Sequence, residues 1–246
     1  MLRRLFAAAS LALLAAATLA HAGPDPQALL KNADRARGGG LPGVVWDIHL
    51  NSQEDGKAGE PQRLTVRATD QASVAETQEP ARFKGSRLLQ VERNMWLTRP
   101  GLSKPIPISP RQRMSGQAAN GDIAATNYAL DYEATLAGNE TVEGEDCAVL
   151  ELNARHKRTT YDRIRYWVSA SRGVGVKAEF LSVSGKLLKT AYFEYAHTIQ
   201  YDGRQIPFVS RMRIRDALTD GETVMEFRDV RIERIAPDAF DLGQSQ

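Results

Sequence analysis

The stretch LLKTAYFEYAHTIQYDGRQIPFVSRMRIRDALTDGETVMEF, residues 187–227, decides the fold class of this chain. Apolar and polar side chains alternate along it with a period of two, as in Met212 and Ile214, and such strands have one buried and one solvated face. Asp-Gly dipeptides at 202–203 and 220–221 suit tight turns between antiparallel strands. The segment therefore predicts consecutive β-hairpins.

The same alternation extends toward the N-terminus. Residues 44–50, 64–68 and 88–97 carry strand patterns, whereas residues 51–61 and 69–82 are polar and contain glycine or proline. We therefore expect three further strand segments, with the two polar stretches serving as hairpin connections or loops. Four prolines between positions 100 and 110 exclude a central strand there.

Short helices are predicted beside these strands. Asp25 can cap the first helix, because a proline follows it at the first helical position. Three glycines at 38–40 end the amphipathic pattern of that helix. Ser109 also precedes a proline and can cap a second helix, and Asn120 can cap a third that reaches Tyr128. The two later helices form an insertion between two sets of strands.

The N-terminus has the pattern of a cleavable signal peptide. Arg3 and Arg4 precede an apolar run over residues 5–19, and Ala-His-Ala closes the segment at residue 22. The run is about 15 residues long, short of the roughly 20 that a membrane-spanning helix needs. We expect residues 1–22 to be removed and residues 23–246 to form one domain in the periplasm, without a lipid anchor.

Charge and composition argue against several classes of function. The chain has 32 basic and 30 acidic residues, and loss of the signal peptide leaves 30 of each, so the mature charge does not favour nucleic acid. Cys147 has no second cysteine to pair with and is read as a small core residue. The sequence contains no G-x-S-x-G motif and no metal-ligand spacing of histidines. We expect no enzyme activity, no cofactor and no metal.

Short sequence motifs between residues 85 and 235 resemble those of a known family. They include MWL at 95–97, QRMSGQ at 112–117, NGDI at 120–123 and TYDRIRYWV at 160–168. These motifs are similar to those of the outer-membrane lipoprotein-sorting (LolA-like) family, in the periplasmic branch associated with RND-type exporters.

The resemblance implies a strongly curved antiparallel sheet that forms an unclosed, half-open β-barrel, mainly β with a few short helices. Its apolar concave face receives acyl chains beneath a helical lid, which in this chain falls on residues 109–128. The implied activity is transport without catalysis. The implied partners are lipid or lipoprotein acyl chains and an inner-membrane RND-type exporter or lipoprotein-releasing complex, and the expected state is a monomer.

Two residue sets follow from this interpretation. The candidate cavity and lid residues are Trp46, Ile48, Trp96, Met114, Ile123, Tyr128, Trp167, Phe180, Phe193, Met212, Met225 and Phe227. The residues of the family motif are Gln112, Arg113, Ser115, Gly116, Asn120, Gly121, Asp122, Asn127 and Tyr132. A core and a cavity lining use the same apolar residues, so a packed barrel core remains an open alternative for the first set.

A carrier of this type needs an apolar hollow that is partly vacant beneath its lid. The competing hypothesis is a periplasmic accessory or sensor protein that docks on an exporter, motivated by Arg211, Arg213 and Arg215 on one strand face. A hydrolase is the third and weakest hypothesis.

Overall fold

The computed structural model describes residues 24–124 and 127–241 of the chain. The signal peptide falls outside the described residues and stays a prediction. Within the described part the strands are β1 (Val44–Glu54), β2 (Lys57–Ala58), β3 (Gln62–Ala68), β4 (Ala72–Glu79), β5 (Arg87–Val91), β6 (Asn94–Thr98), β7 (Ile106–Ile108), β8 (Arg113–Ser115), β9 (Ala118–Ala119), β10 (Tyr132–Val142), β11 (Glu145–Ala154), β12 (Arg163–Ser169), β13 (Gly175–Leu181), β14 (Leu187–Glu194), β15 (His197–Tyr201), β16 (Arg204–Phe208), β17 (Arg211–Asp216) and β18 (Glu222–Ile232).

One large antiparallel sheet dominates the fold. Its strand order is β10-β11-β12-β13-β14-β17-β18-β1-β3-β4-β5-β6-β7, with β2 paired to β1. The end strands β10 and β7 are not paired with each other in the described residues, so the curved sheet is a half-open barrel. Two smaller hairpins stand apart from it, β8 with β9 and β15 with β16. The predicted fold class is confirmed.

Three helices cover the concave face of the sheet. They are α1 (Pro26–Arg35), α2 (Asn120–Ala124) and α3 (Tyr128–Asp131), and 3-10 turns span Ala81–Phe83 and Pro237–Phe240. Leu30 of α1, Ile123 of α2 and Tyr128 of α3 belong to the same buried cluster as the inward side chains of the sheet. Asp25 caps α1 by accepting a hydrogen bond from the Gln27 backbone N–H, as predicted.

Three expectations about local structure were wrong. The polar stretch 69–82 contains β4, which pairs with β3 and β5 and thus lies inside the sheet. Pattern analysis missed it because Ala72–Glu79 has few large apolar residues. Residues 51–54 extend β1 rather than leave it. The predicted helix after Ser109 is a turn, in which the serine hydroxyl accepts a hydrogen bond from the Arg111 backbone N–H before the chain enters β8.

Candidate functional site

The concave face of the sheet is a continuous apolar surface. The candidate residues on it that share one buried cluster are Trp46, Ile48, Ile123, Tyr128, Phe180, Phe193, Met212, Met225 and Phe227. Met114 packs against the edge of this cluster. Period-two alternation brings the strand residues of this set together, because inward positions of neighbouring antiparallel strands face each other across the register, as Met212 faces Met225. Ile123 and Tyr128 join them from α2 and α3.

Two of the predicted tryptophans are not part of this surface. Trp167 lies with Cys147, Val149 and Val176 in a second cluster on the opposite face of the sheet, and its Nε1 donates a hydrogen bond to Glu140 at 2.8 Å. Its strand neighbours Ile164, Tyr166 and Val168 point inward instead. Trp167 therefore shares a face with the surface arginines of β12 rather than with the core.

Trp96 also lies outside the concave cluster. Met95 is the buried residue of β6 and belongs to the concave cluster, while Trp96 is only half-buried. Because side chains alternate along a strand, Trp96 must share the face of Asn94 and Thr98. In the sequence, Trp96 lies two positions from each of these polar residues, and this spacing indicates that all three side chains share one face.

The concavity is filled by the protein's own side chains, contrary to the expected partial vacancy. The gap between the helices and the sheet at Trp46, Ile123 and Phe227 has a volume of about 10 Å³, about the size needed for one water molecule. A second space of about 180 Å³ lies beneath the lid segment, beside Met114 and Leu88. The structure is therefore a closed form, in which the lid segment covers the apolar face.

A larger cleft of about 350 Å³ opens at the surface beside α3. Its lining includes Asp70, Gln90, Glu92, Arg93 and Asp131. Most of the residues that line this cleft are polar or charged, and burying a hydrocarbon chain there would also bury these groups.

The lid segment is fastened to the sheet by buried polar contacts. The Tyr161 hydroxyl donates to both carboxylate oxygens of Asp122, at 2.9 and 2.8 Å, and its ring stacks on Phe180 with centroids 4.0 Å apart. Burial and the Asp122 carboxylate raise the pKa of Tyr161, so its hydroxyl keeps the proton that it donates. Asp122 also accepts from the Ala119 backbone N–H at 2.9 Å.

Further fastenings lie on either side of Asp122. The Gln117 backbone N–H donates to Thr223 Oγ1 at 2.7 Å, and the Gln117 carbonyl accepts from Lys189 Nζ at 2.5 Å. Burial lowers the pKa of Lys189. At the end of α2, Ser73 Oγ donates to the Ala124 carbonyl at 2.8 Å. The lid segment, called the cover below, is thus held by a small number of hydrogen bonds in addition to its apolar contacts.

Two glycines of the family motif allow the lid segment to lie close to its neighbours. Gly116 has a φ of 51°, and a Cβ there would meet the side chains of Ser52 and Thr223 at 2.4 Å or less. A Cβ on Gly121 would lie 1.8 Å from Thr160 Oγ1. Neither position tolerates a side chain without movement of the cover or its support.

The other motif residues tie the segment together or anchor it. Asn120 Nδ2 donates to the Ser109 carbonyl, and the Gln112 carbonyl accepts from the Asn120 backbone N–H. Ser115 accepts from Gln62, and Arg113 lies 3.9 Å from carboxylate oxygens of Glu54 and Asp216. Asn127 caps α3 and also donates to Asp70, and the Tyr132 hydroxyl donates to the Tyr161 carbonyl at 3.1 Å. These residues shape the cover and its support, and in the closed form they do not line the apolar surface as a group.

Sequence analysis missed a pair of charged residues under the helices. Asp34 and Arg37 are 1% and 7% exposed at the C-terminal end of α1, one turn apart. Asp34 Oδ2 accepts from the Ala129 backbone N–H at 2.7 Å, and burial raises the pKa of Asp34 to about 7 against the opposing effects of this hydrogen bond and of Arg37. The Arg37 guanidinium lies 4.2 Å from the centre of the Tyr128 ring. The spacing Leu30, Ala33, Asp34, Arg37 is that of a buried helix stripe, but an apolar search overlooks its charged members.

The arginines that motivated the docking hypothesis are paired with acids. Arg211 contacts Glu194 and Glu226, and both Arg213 and Arg215 contact Glu222 across the strands. The outer face of β17 is therefore a row of ion pairs rather than an unbalanced cationic surface.

Residues 24–124 and 127–241 contain no helix that is long and apolar enough to span a membrane. That part of the chain also holds no cluster of three or more His, Cys, Asp or Glu side chains arranged to bind a metal. Cys147 is buried, and burial raises the pKa of its thiol.

Comparison with known proteins identifies relatives of this fold. A family model described as "-like: Uncharacterized protein" matches residues 69–244. A LolA superfamily protein from Nitrosomonas europaea is 32% identical with a TM-score of 0.78, and the match covers 88% of this chain and 97% of that one. A search of curated proteins finds no match.

More distant structures share the fold. A DUF1329 family protein from Desulfovibrio piger is 22% identical with a TM-score of 0.72, covering 88% of this chain and 98% of that one. A putative outer membrane lipoprotein-sorting protein domain from Vibrio parahaemolyticus is 19% identical with a TM-score of 0.73, covering 88% and 96%.

Proposed function

Because this chain belongs to the LolA superfamily, we propose that it is a periplasmic carrier that binds lipid or lipoprotein acyl chains and shuttles them toward the outer membrane. The observation that carries the proposal is the continuous apolar face of the sheet, which lies beneath a lid segment held by a few hydrogen bonds in addition to its apolar contacts. Such a cover can leave the sheet without unfolding it. The apolar face would then be open to a hydrocarbon chain.

The free-energy difference between a closed empty form and an open loaded form supports the proposed carrier function. Burying an acyl chain contributes about 0.8 kcal/mol per methylene, so a chain of about 16 carbons contributes on the order of 10 kcal/mol. Opening exposes the lid side chains Ile123 and Tyr128, each of which contributes roughly 1.5–3 kcal/mol when buried. Each broken hydrogen bond adds about 1 kcal/mol, because water replaces the lost partner. A bound chain can offset these losses, so the closed empty form and an open loaded form are close enough in free energy to interconvert.

A disulfide that locks the cover tests the proposal. A Cβ on Gly121 would lie 2.8 Å from the Thr160 Cβ, roughly 1 Å closer than the carbons of a disulfide, so a small outward shift lets the bond form. The double variant Gly121→Cys and Thr160→Cys should bind a fluorescent fatty-acid probe when reduced and lose that binding when oxidised. The buried, high-pKa thiol of Cys147 should not exchange with the engineered pair.

The controls separate the lock from the substitutions. Each single cysteine variant should bind the probe equally under oxidising and reducing conditions. Equal binding by the oxidised and reduced double variant would show that the chain binds without movement of the cover. A wild-type protein that ignores acyl probes and carries no lipid in native mass spectrometry would refute the carrier role.

The partner that loads the carrier is part of the same proposal. The predicted export signal and the family resemblance favour an inner-membrane RND-type exporter or a lipoprotein-releasing complex. Crosslinking in cells should capture such a complex when cargo is supplied and lose it when cargo synthesis is blocked. Capture that is independent of cargo would favour the docking role instead. A carrier role also requires no catalysis, so ester and glycoside substrate panels should show no turnover.

A further inference from the structure

We propose that the core beneath the helices holds a binding site for the carboxylate of a long-chain fatty acid, centred on the Arg37 guanidinium. This inference rests on the proposed carrier function and specifies its cargo. It assigns the polar end of the cargo to the interior of the half-barrel.

The first argument is the uncompensated charge of Arg37. Arginine stays protonated in proteins, yet no carboxylate of the described residues lies within 4.0 Å of this buried side chain. Its Nη1 has no hydrogen-bond acceptor among those residues. The faces of Tyr128 and Phe193, at 4.2 and 5.6 Å from the guanidinium carbon, compensate the charge only in part. A buried charge without a counterion is costly, so the arrangement suits an anion that arrives with the ligand.

The second argument is the donor groups that surround Arg37. Trp46 Nε1 is buried without an acceptor in the described part of the chain, and Trp46 lines the same 10 Å³ cavity as Arg37. The hydroxyl groups of Tyr128 and Tyr166 are also buried without partners there, and their ring centres are 5.8 Å apart. Asp122 lines the cavity as well, but its oxygens already accept from Tyr161 and from a backbone N–H. Arg37 and Trp46 therefore offer the cavity two donors that have no acceptor in the described residues, while the two tyrosine hydroxyls, which do not line it, lie unpartnered in the same buried cluster.

Asp34, one helical turn before Arg37, does not supply a permanent counterion. Asp34 Oδ2 accepts a backbone hydrogen bond, and its Oδ1 has no partner in the described residues. Burial raises the pKa of Asp34 to about 7, so much of this group is neutral at physiological pH. A neutral Asp34 leaves the charge of Arg37 available to a ligand.

The geometry of the guanidinium favours a carboxylate head. A carboxylate offers two oxygens to one edge of a guanidinium and is smaller than a phosphodiester with its glycerol, so it needs the smaller enlargement of a gap that holds about one water molecule in the closed form. Ile123, Phe193 and Met212 line the same gap and would contact the first carbons of the chain once the cover has moved. Met212 can adapt its shape to such a chain.

The test compares ligands that differ only at the head. Purified protein is titrated by displacement of a fluorescent probe with palmitate, hexadecanol and a single-chain lysophosphatidate, each below its aggregation concentration. We expect wild type to bind palmitate at least roughly tenfold tighter than hexadecanol, the value of one charge-assisted hydrogen bond. Arg37→Met should abolish this preference while binding of hexadecanol persists.

A milder variant keeps the test independent of folding. Tyr166→Phe removes a hydroxyl that has no partner in the described residues, so the melting temperature of the empty protein should stay the same or rise. Its palmitate affinity should fall roughly tenfold, with hexadecanol affinity unchanged. Tyr195→Phe is the matched control, because Tyr195 donates to the Gly175 carbonyl at 2.6 Å. That variant should lose stability but keep the preference for palmitate.

The outcomes separate this inference from the carrier function. Equal affinity of wild type for palmitate and hexadecanol would overturn the carboxylate site and leave the carrier intact, and binding of neither would overturn both. Variants that weaken both ligands alike would make Arg37 and Tyr166 packing residues and so overturn the site. Tighter binding of lysophosphatidate than of palmitate would assign the anion site to a phospholipid and overturn the fatty-acid assignment.

Discussion

Replacement of Tyr161 by phenylalanine should weaken the closed protein and strengthen its binding of acyl chains. The change removes the hydroxyl that joins the body of the protein to Asp122 of the lid, at 2.9 and 2.8 Å, and keeps the ring stacked on Phe180. A buried hydrogen bond to a charged group contributes about 1.5–3 kcal/mol. We therefore expect the closed form to lose about 2 kcal/mol, and the melting temperature to fall by about 4–8 °C.

The same 2 kcal/mol should appear with opposite sign in binding. If opening breaks the contact between Tyr161 and Asp122, its loss raises the open fraction roughly 30-fold, since each 1.4 kcal/mol corresponds to a factor of ten. The apparent Kd for an acyl probe should fall by the same factor while the open form remains a minority. Probe titration and differential scanning calorimetry on one preparation measure both quantities.

Tyr132→Phe is the matched control. The Tyr132 hydroxyl is equally buried and bonds to the backbone of Tyr161, donating to its carbonyl at 3.1 Å and accepting from its N–H at 3.2 Å. Both partners belong to the body of the protein rather than to the lid. This variant should lose stability without any gain in affinity. If Tyr161→Phe instead weakens acyl binding in step with stability, the cover is ordinary core and the reasoning fails.

Three further predictions concern the helices and the outer face. The pKa of Asp34 is raised in the folded state, so its contribution to stability is present below about pH 4 and declines as the pH rises toward 7. In denaturant titrations, the free energy of unfolding of Asp34→Asn relative to wild type should therefore rise by up to about 4 kcal/mol between these pH values. No change with pH would contradict the burial of this acid. Gly121→Ala places a Cβ 1.8 Å from Thr160 Oγ1 and should lower the free energy of unfolding by about 1–3 kcal/mol. A second substitution, Thr160→Gly, should restore part of this loss. An unchanged melting temperature of Gly121→Ala would mean that the two segments are not in contact. Trp167→Phe breaks the hydrogen bond to Glu140 and should lower the melting temperature while acyl affinity stays unchanged, since a loss of affinity would place this side chain on the concave face.

Strand alternation was sufficient to predict much of the sheet. The inward positions of β17 and β18 follow from a period of two in the sequence. Asp202 and Gly203, both at positive φ, form the predicted tight turn between β15 and β16, whereas Asp220 and Gly221 end a longer loop between β17 and β18. The Asn120 region was correctly predicted to be helical, although the chain there forms two short helices. The family resemblance placed the proposed lid on residues 109–128, and within that segment Gly116 and Gly121 lie against Ser52 and Thr160.

The face on which a large apolar residue lies was less certain. Trp96 and Trp167 were assigned to the cavity because of their size, yet each shares its face with polar neighbours on its own strand. A shift of one residue exchanges the two faces of a strand, so parity along the strand is the better criterion. β4 was missed for the opposite reason, since its pairing with β3 and β5 stabilises a strand that lacks a strong apolar pattern.

The sequence by itself determined the alternation, the turns and the helix at Asp25, because these depend on neighbours within a few positions along the chain. Only the tertiary structure decided that the concave face is closed, that Asp34 and Arg37 lie inside it, and that Tyr161 reaches Asp122. Those facts depend on how residues far apart in the sequence approach each other. Burial then changes the properties of these groups, since a charge or hydroxyl that water would solvate must find its partner in the protein or in the cargo.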